Sequence, residues 1–152
     1  MSAMNSSSVE YKQTDDPTAA VIGMDCHEVD ELLALLVSMD IEITRPHRAG
    51  LVMMKVTDSL ATDFYVGEVL VTEAEVTLNG QRGYGMIIGE EPRKALARAA
   101  TDALLRGGQP EELCRQVYEC LEHAQLRQRE KNTAEAALIA STRVSFDLMA
   151  GA

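Results

Sequence analysis

Residues 50–89, GLVMMKVTDSLATDFYVGEVLVTEAEVTLNGQRGYGMIIG, carry most of the strand-forming signal of this 152-residue chain. Within them, residues 66–78 partly alternate between two sets of side chains, as a half-buried strand requires, because successive side chains leave opposite faces of a sheet. The first set is Leu70, Thr72, Ala74, Val76 and Leu78, and the second is Val69, Val71, Glu73, Glu75 and Thr77. Asn79-Gly80 predicts a tight hairpin turn, since both residues tolerate positive φ. Residues 51–56 and 83–88 complete a predicted antiparallel meander.

Helical patterns flank the meander on both sides. Asp25 and Glu28 have the spacing of a capping box and predict the start of a helix. Residues 41–45 predict an edge strand that ends at Pro46. Residues 92–106 and the segment after them have the apolar periodicity of two further helices. The predicted fold class is therefore α+β, with an antiparallel sheet of about four strands between an N-terminal helix and C-terminal helices.

Composition divides the chain into three parts. Residues 1–20 are polar and predict a flexible N-terminal arm, and residues 21–140 predict a single α+β domain. Residues 141–152 form a C-terminal tail that follows a helix with a polar middle. An apolar terminus needs a cover, so we expect the tail to dock on another subunit or on this domain's own sheet. Its candidate docking residues are Val144, Phe146, Leu148 and Met149.

The formal net charge of −10 restricts the classes of partner. A protein that binds nucleic acid normally shows a basic surface, and an anionic membrane repels an acidic chain, so we expect neither as a partner. Three cysteines, an odd number, argue against a secreted disulfide framework. No signal peptide or membrane-spanning run is recognised, which predicts a cytoplasmic protein.

The sequence offers candidate contact residues but no convincing catalytic set. Arg45, Arg48 and Arg93 lie near strand ends or a helix start, and we expect them to contact a partner or a substrate, the alternative being a solvated surface. No Ser-His-Asp or Cys-His arrangement stands out, so no catalytic residue is assigned. Three glutamates invite an acid–base role, although strand glutamates are usually solvated. They are Glu68, Glu73 and Glu75.

Two further patterns do not fulfil the requirements of ligand sites. Gly83, Gly85 and Gly89 have the spacing G-x-G-x-x-x-G, which is not a phosphate-binding pattern, and we expect them to relieve a twisted strand and its turn. Cys114 and His123 lie about half a turn apart around a helix axis, so no metal site is predicted. Cys120 and the pair Cys26-His27 add no usual ligand spacing.

Several segments, in one order along the chain, resemble the PhnG family of the bacterial carbon–phosphorus lyase system. They are GLVMMKV, FYVGEVLVTEAEV, GYGMIIGEEP, DALL and ASTRVSFDLM, and they span roughly residues 42–149. Matches to several motifs in a fixed order are more specific than one short motif.

The resemblance implies a subunit of a multi-subunit transferase, α-D-ribose 1-methylphosphonate 5-triphosphate synthase. That complex replaces the adenine of ATP by a phosphonate, before a radical enzyme with an iron–sulfur cluster cleaves the carbon–phosphorus bond. The implied partners are PhnI-, PhnH-, PhnJ- and PhnL-like subunits. ATP would be a substrate of the complex, and no cofactor is expected on this chain alone. The resemblance supplies no catalytic residue, so the chain is expected to assemble or support a catalytic partner.

Two other classes of function remain open at this stage. The chain could be a stand-alone interaction adaptor that resembles the family only in its sheet. It could also be a small-ligand binding domain with a pocket under Phe64, Tyr65 and Tyr84.

Overall fold

The chain folds around one antiparallel sheet with helices before and after it. The computed structural model describes residues 17–107 and 110–142. The strands are β1 (Ile41–Thr57), β2 (Asp63–Leu78) and β3 (Gln81–Ile88), in the sheet order β1-β2-β3. A 3-10 turn (Pro17–Ala19), α1 (Ala20–Gly23) and α2 (Cys26–Val37) precede the sheet, and α3 (Pro92–Gly107) and α4 (Glu111–Ser141) follow it. The predicted α+β class is confirmed.

The described part of the chain has three strands rather than the predicted four, because Pro46 does not end a strand. It lies inside β1, which runs continuously from Ile41 to Thr57. The pairing of β1 with β2 shifts at three places, and two of them flank Arg45, between Glu42 and Arg45 and between Arg45 and Arg48. Each of these two shifts is a bulge with one extra residue on β1, whereas the third, at Met54 and Lys55, has its extra residue on β2. An edge strand can hold a proline at a bulge, since no neighbouring strand needs its missing N–H.

The turn between β2 and β3 has the predicted conformation. Asn79 has φ 50° and Gly80 has φ 79°, as a two-residue turn of type I′ requires. The predicted alternation of β2 is also confirmed along the paired strands, where one set of side chains is buried beneath α3. That set consists of Thr72, Ala74, Val76 and Leu78. We call this side of the sheet the helix-covered face and the other side the open face.

Two glycines of β3 allow α3 to lie unusually close to the sheet. A Cβ atom on Gly83 would come within 2.0 Å of the carbonyl oxygen of Ala99, and one on Gly85 within 2.2 Å of that of Ala95. The small side chains of the facing helix make the same approach possible. These two glycines therefore serve helix packing rather than the predicted relief of strand twist. Gly89, with φ 93°, does occupy a turn that favours glycine.

Side-chain contacts fix the start of two helices. The Asp25 carboxylate accepts a hydrogen bond from the Glu28 N–H at 3.0 Å, and the Glu28 carboxylate accepts one from the Asp25 N–H at 2.9 Å. This is the predicted capping box at the start of α2. The Thr72 hydroxyl on β2 accepts a hydrogen bond from the Glu91 N–H at 3.1 Å, just before α3 begins. A strand residue thus holds the first turn of α3 against the sheet.

The core lies between the sheet and the helices. Leu32 and Leu36 of α2, Leu104 of α3 and Leu121 of α4 are almost completely buried there. The short helix α1 joins the same core through Val21, and Thr18 of the 3-10 turn before it is buried. They include the last four residues of the segment predicted as a flexible arm, residues 17–20; the rest of that segment lies outside the described residues.

Two segments extend beyond this core. β3 ends opposite Val71, so the distal part of the β1–β2 hairpin has two strands only, and none of residues 51–70 is buried. We call residues 51–70 the hairpin arm. The second segment is the end of α4, where residues 129–142 are all exposed. The polar stretch of the last helix therefore extends away from the described core.

Candidate functional site

The open face of the sheet gathers two of the predicted contact residues. Arg45 and Arg48 are three positions apart, so a regular strand would direct them to opposite faces. The bulge between them adds one residue and turns both side chains toward the open face. There Arg45 lies opposite Glu75, and Arg48 lies opposite Glu73.

These residues form a network with two residues of β3, Arg82 through an ion pair and Tyr84 through a hydrogen bond. Arg48 forms an ion pair with Glu73, and Arg45 lies 3.8 Å from the Glu75 carboxylate. Arg82 lies 3.3 Å from the same Glu75 oxygen. We call this set, completed by Tyr84, the open-face cluster. Each arginine in the cluster lies near a carboxylate, but Arg45 and Arg82 share Glu75, so three arginines face two glutamates and the cluster keeps one excess positive charge.

Hydrogen bonding within the cluster fixes the ionisation of two groups. The Tyr84 hydroxyl donates to the Glu73 carboxylate at 2.8 Å. That bond, followed by the one from Arg48, lowers the pKa of Glu73. Burial, followed by the negative Glu73, raises the pKa of Tyr84. Glu73 is therefore ionised and Tyr84 protonated at neutral pH, whereas a general acid or base works best with a pKa near the working pH.

A shallow depression lies beside the cluster. It has a volume of about 420 Å³ and is lined by Arg48, Glu73 and Tyr84 together with apolar residues of β1, β2 and β3. A bound anion would have to displace Glu73 from Arg48 there. The same ion pairs can instead exchange for those of an approaching protein surface at little cost, since exposed pairs contribute only about 0–1 kcal/mol.

Arg93 lies apart from the open-face cluster. It belongs to the first turn of α3 and forms an ion pair with Asp30 of α2. Its contact therefore joins two helices of the body. The three arginines predicted from the sequence thus occupy two separate places in the fold.

The aromatic residues of the suggested ligand pocket do not meet. Phe64 lies opposite Val56 in the hairpin arm, whereas Tyr84 lies opposite Glu75 in the body of the sheet. Eleven residues of strand at about 3.3 Å each separate these positions by roughly 36 Å. Phe64 and Tyr65 are instead exposed on the arm. The prediction of one ligand pocket under all three aromatic side chains is therefore wrong.

Metal-ligating residues are not gathered in the described ranges, 17–107 and 110–142, where no group of three or more His, Cys, Asp or Glu side chains could hold an ion. Cys114 and Cys120 are partly buried in α4 and Cys26 is exposed. Burial and the nearby Glu31 raise the pKa of Cys120, so its thiol is protonated at neutral pH and is a poor nucleophile.

Sequence reasoning missed Arg82 and the role of Tyr84. The signal was present, because a two-residue turn at Asn79-Gly80 fixes the register of the hairpin and places Tyr84 opposite Glu75. The predicted docking residues of the C-terminal tail lie outside the described residues. These are Val144, Phe146, Leu148 and Met149.

The sequence matches a protein-family model over most of its length. The family model described as phosphonate metabolism protein PhnG matches residues 15–151. The chain belongs to the PhnG family. The resemblance stated from its motifs is thereby confirmed, and the match extends it toward the N-terminus. Its family is one of phosphonate metabolism. A search of curated proteins found no match. Among the described helices, none combines the length and the apolar character needed to cross a membrane.

Proposed function

We propose that this PhnG-family chain is an assembly subunit of the complex that makes α-D-ribose 1-alkylphosphonate 5-triphosphate from ATP and a phosphonate, with release of adenine. The match to the PhnG family over residues 15–151 carries the proposal. In this proposal the complex contains PhnI-, PhnH-, PhnJ- and PhnL-like subunits, works in the cytoplasm and uses ATP as a substrate. The chain binds no cofactor of its own.

The chemistry of the open face supports an assembly role over a catalytic one. Replacement of adenine at the ribose carbon needs a site that holds polyphosphate and stabilises positive charge on the sugar. Here the arginines are paired with Glu73 and Glu75, and the chain carries a net charge of −10. An acidic chain whose arginines already lie against carboxylates, with one excess positive charge in the cluster, is poorly suited to binding a triphosphate alone.

Contacts with partners are proposed at three places. Arg45 and Arg48 would meet a partner or the edge of a substrate site on the open face, and Arg93 would do so at the start of α3. The C-terminal tail would dock through its apolar residues.

Adenine release tests the proposal directly. The purified chain is incubated with ATP and methylphosphonate, alone and after reconstitution with the four partner subunits, and adenine is measured by chromatography. We expect release only from the reconstituted complex and a loss of release when this chain is omitted. Release by the chain alone, or full release without it, would contradict the assembly role.

A further inference from the structure

The hairpin arm exposes an unusual amount of apolar surface. Nine of its large side chains are between 38% and 83% exposed. They are Leu51, Val52, Met53, Met54, Leu60, Phe64, Tyr65, Val66 and Leu70. At about 100 Å² each they amount to roughly 900 Å², similar to the ~800 Å² that one partner contributes to a standard interface. Apolar patches beyond a few hundred Å² mark interaction sites.

Both faces of the arm are apolar. Cross-strand partners share a face and successive residues alternate, so the register assigns each side chain to one side. Leu51, Met53, Tyr65 and Leu70 continue the helix-covered face past the end of β3. Val52, Met54 and Phe64 continue the open face. A flat partner surface would cover one of these sets and leave the other in water.

The arm is already ordered for binding. The Asp58 carboxylate accepts hydrogen bonds from the Leu60 and Thr62 N–H groups at 2.8 and 2.9 Å, which fixes the tip. Lys55 donates to Asp63 at 2.6 Å across the two strands. A preorganised segment loses less conformational entropy when it binds.

Charge argues against a second copy of this chain as the occupant. The arm carries one basic residue, Lys55, against Asp58, Asp63 and Glu68, and the whole chain has a net charge of −10. Two copies meeting arm to arm would bring like charges together, which disfavours association. Such a pairing would also cover one face of each arm and leave the other exposed.

We propose that the hairpin arm inserts into an apolar groove of a different subunit, one whose groove covers both faces of the ribbon and has a basic rim. The outer edge of β1 in the arm also offers unpaired backbone groups to a strand of that groove. This inference rests on the proposed function, since it assigns the occupant to a subunit of the same phosphonate complex.

Paired substitutions on each face test the inference. One variant carries Leu51→Ser and Tyr65→Ser, and the other carries Met54→Ser and Phe64→Ser. The matched control carries Val37→Ser and Leu126→Ser, two apolar residues of the body that are 72% and 57% exposed. Each protein is co-expressed with the proposed partner subunits and its complex is measured by size-exclusion chromatography with light scattering. Circular dichroism checks the fold.

We expect both arm variants to bind at least about a hundredfold more weakly, the effect of two lost apolar anchors in an interface core. The control should bind as wild type does. Glu68→Lys should slow association, because it places a like charge against the basic rim.

The possible outcomes separate the two proposals. If wild type and both arm variants form the complex equally, the arm is not the docking element and the inference is overturned. The same holds if wild type forms a homo-oligomer that only the arm variants disrupt, since the occupant is then a second copy. If wild type joins none of the partner subunits, the proposed function itself fails, and the assigned occupant with it.

Discussion

Two buried threonines differ in what their hydroxyl groups do. Thr72 donates to the Gly89 carbonyl at 2.6 Å and accepts from the Glu91 N–H, whereas the Thr101 hydroxyl has no hydrogen-bond partner among the described residues. Both residues are at most 1% exposed. We expect Thr72→Val to lower the free energy of unfolding by about 1–3 kcal/mol, because two backbone groups lose their partner. Thr101→Val should raise it by up to about 1 kcal/mol.

Thermal melts of the two variants provide the comparison, and each serves as the control for the other. At about 2–4 °C per kcal/mol for a chain of this size, the melting temperatures should move in opposite directions. Shifts of the same sign and size would show that the Thr72 hydroxyl does not hold the start of α3.

Glu73 gives the open-face cluster a defined pH dependence. Because hydrogen bonds from Tyr84 and Arg48 lower its pKa below the usual 4.5, the ionised form stabilises the fold above that value. This stabilisation is lost as the pH falls through the lowered pKa. Glu73→Gln should therefore destabilise the protein modestly at pH 7 and much less below the lowered pKa of Glu73.

Urea unfolding of wild type and Glu73→Gln, carried out from pH 7 to below the lowered pKa of Glu73, measures the difference in their free energies of unfolding. Glu68→Gln is the matched control, since it removes the charge of a strand glutamate that makes no ion pair among the described residues. A Glu73→Gln effect that stays constant down to the lowest pH would contradict the ion-pair explanation.

At the scale of elements, the contact between α3 and β3 limits substitution most strongly. A Cβ on Gly83 would meet the Ala99 carbonyl oxygen at 2.0 Å and the Ala103 nitrogen at 2.5 Å. Both are backbone atoms of a helix and cannot move independently. We expect Gly83→Ala to lower the free energy of unfolding by more than about 2 kcal/mol, through displacement of the helix.

Gly50→Ala is the matched control, because a Cβ there has nothing within 4 Å. Its effect should stay within about 0.5 kcal/mol, as for most exposed positions. Chemical denaturation of both variants gives the comparison. Equal stability of the two would mean that α3 does not approach β3 as closely as described.

Sequence patterns predicted the elements whose cause is local. The capping box at Asp25 and the turn at Asn79-Gly80 depend only on neighbouring residues, and both have the predicted geometry. The continuity of β1 through Pro46 depends on which strand lies beside it, and that partner is distant in sequence. Because the bulges beside Pro46 could not be foreseen from the sequence, the position of Arg45 and Arg48 on one face of the sheet could not be predicted either. The contact of Arg93 with α2 likewise depends on tertiary packing.

At the scale of the whole molecule, the C-terminal tail should join the chain to its complex. A variant that ends after Ala140 lacks the apolar tail but keeps every buried residue of the described core, the last of which is Ala124. We expect its melting temperature to stay within about 2 °C of that of the full-length chain, because no contact of the described core is lost. We also expect it to lose co-purification with the PhnI-like subunit.

Phe146→Ser combined with Leu148→Ser in the full-length chain tests the same idea without shortening it. Pull-down and thermal melts of both variants are compared with wild type. A retained complex together with a lowered melting temperature would show that the tail packs on its own domain, and the docking prediction would then be wrong.

Pro46 also determines how the sheet can grow. It has no N–H and lies in the second of the two bulges around Arg45, so a foreign strand cannot pair continuously along β1 past this point. Cross-β fibrils need uninterrupted pairing from one molecule to the next, and prolines and bulges on an edge strand prevent it. The body of the sheet is thereby protected from amyloid-like stacking, while the edge of the hairpin arm stays open to a single added strand.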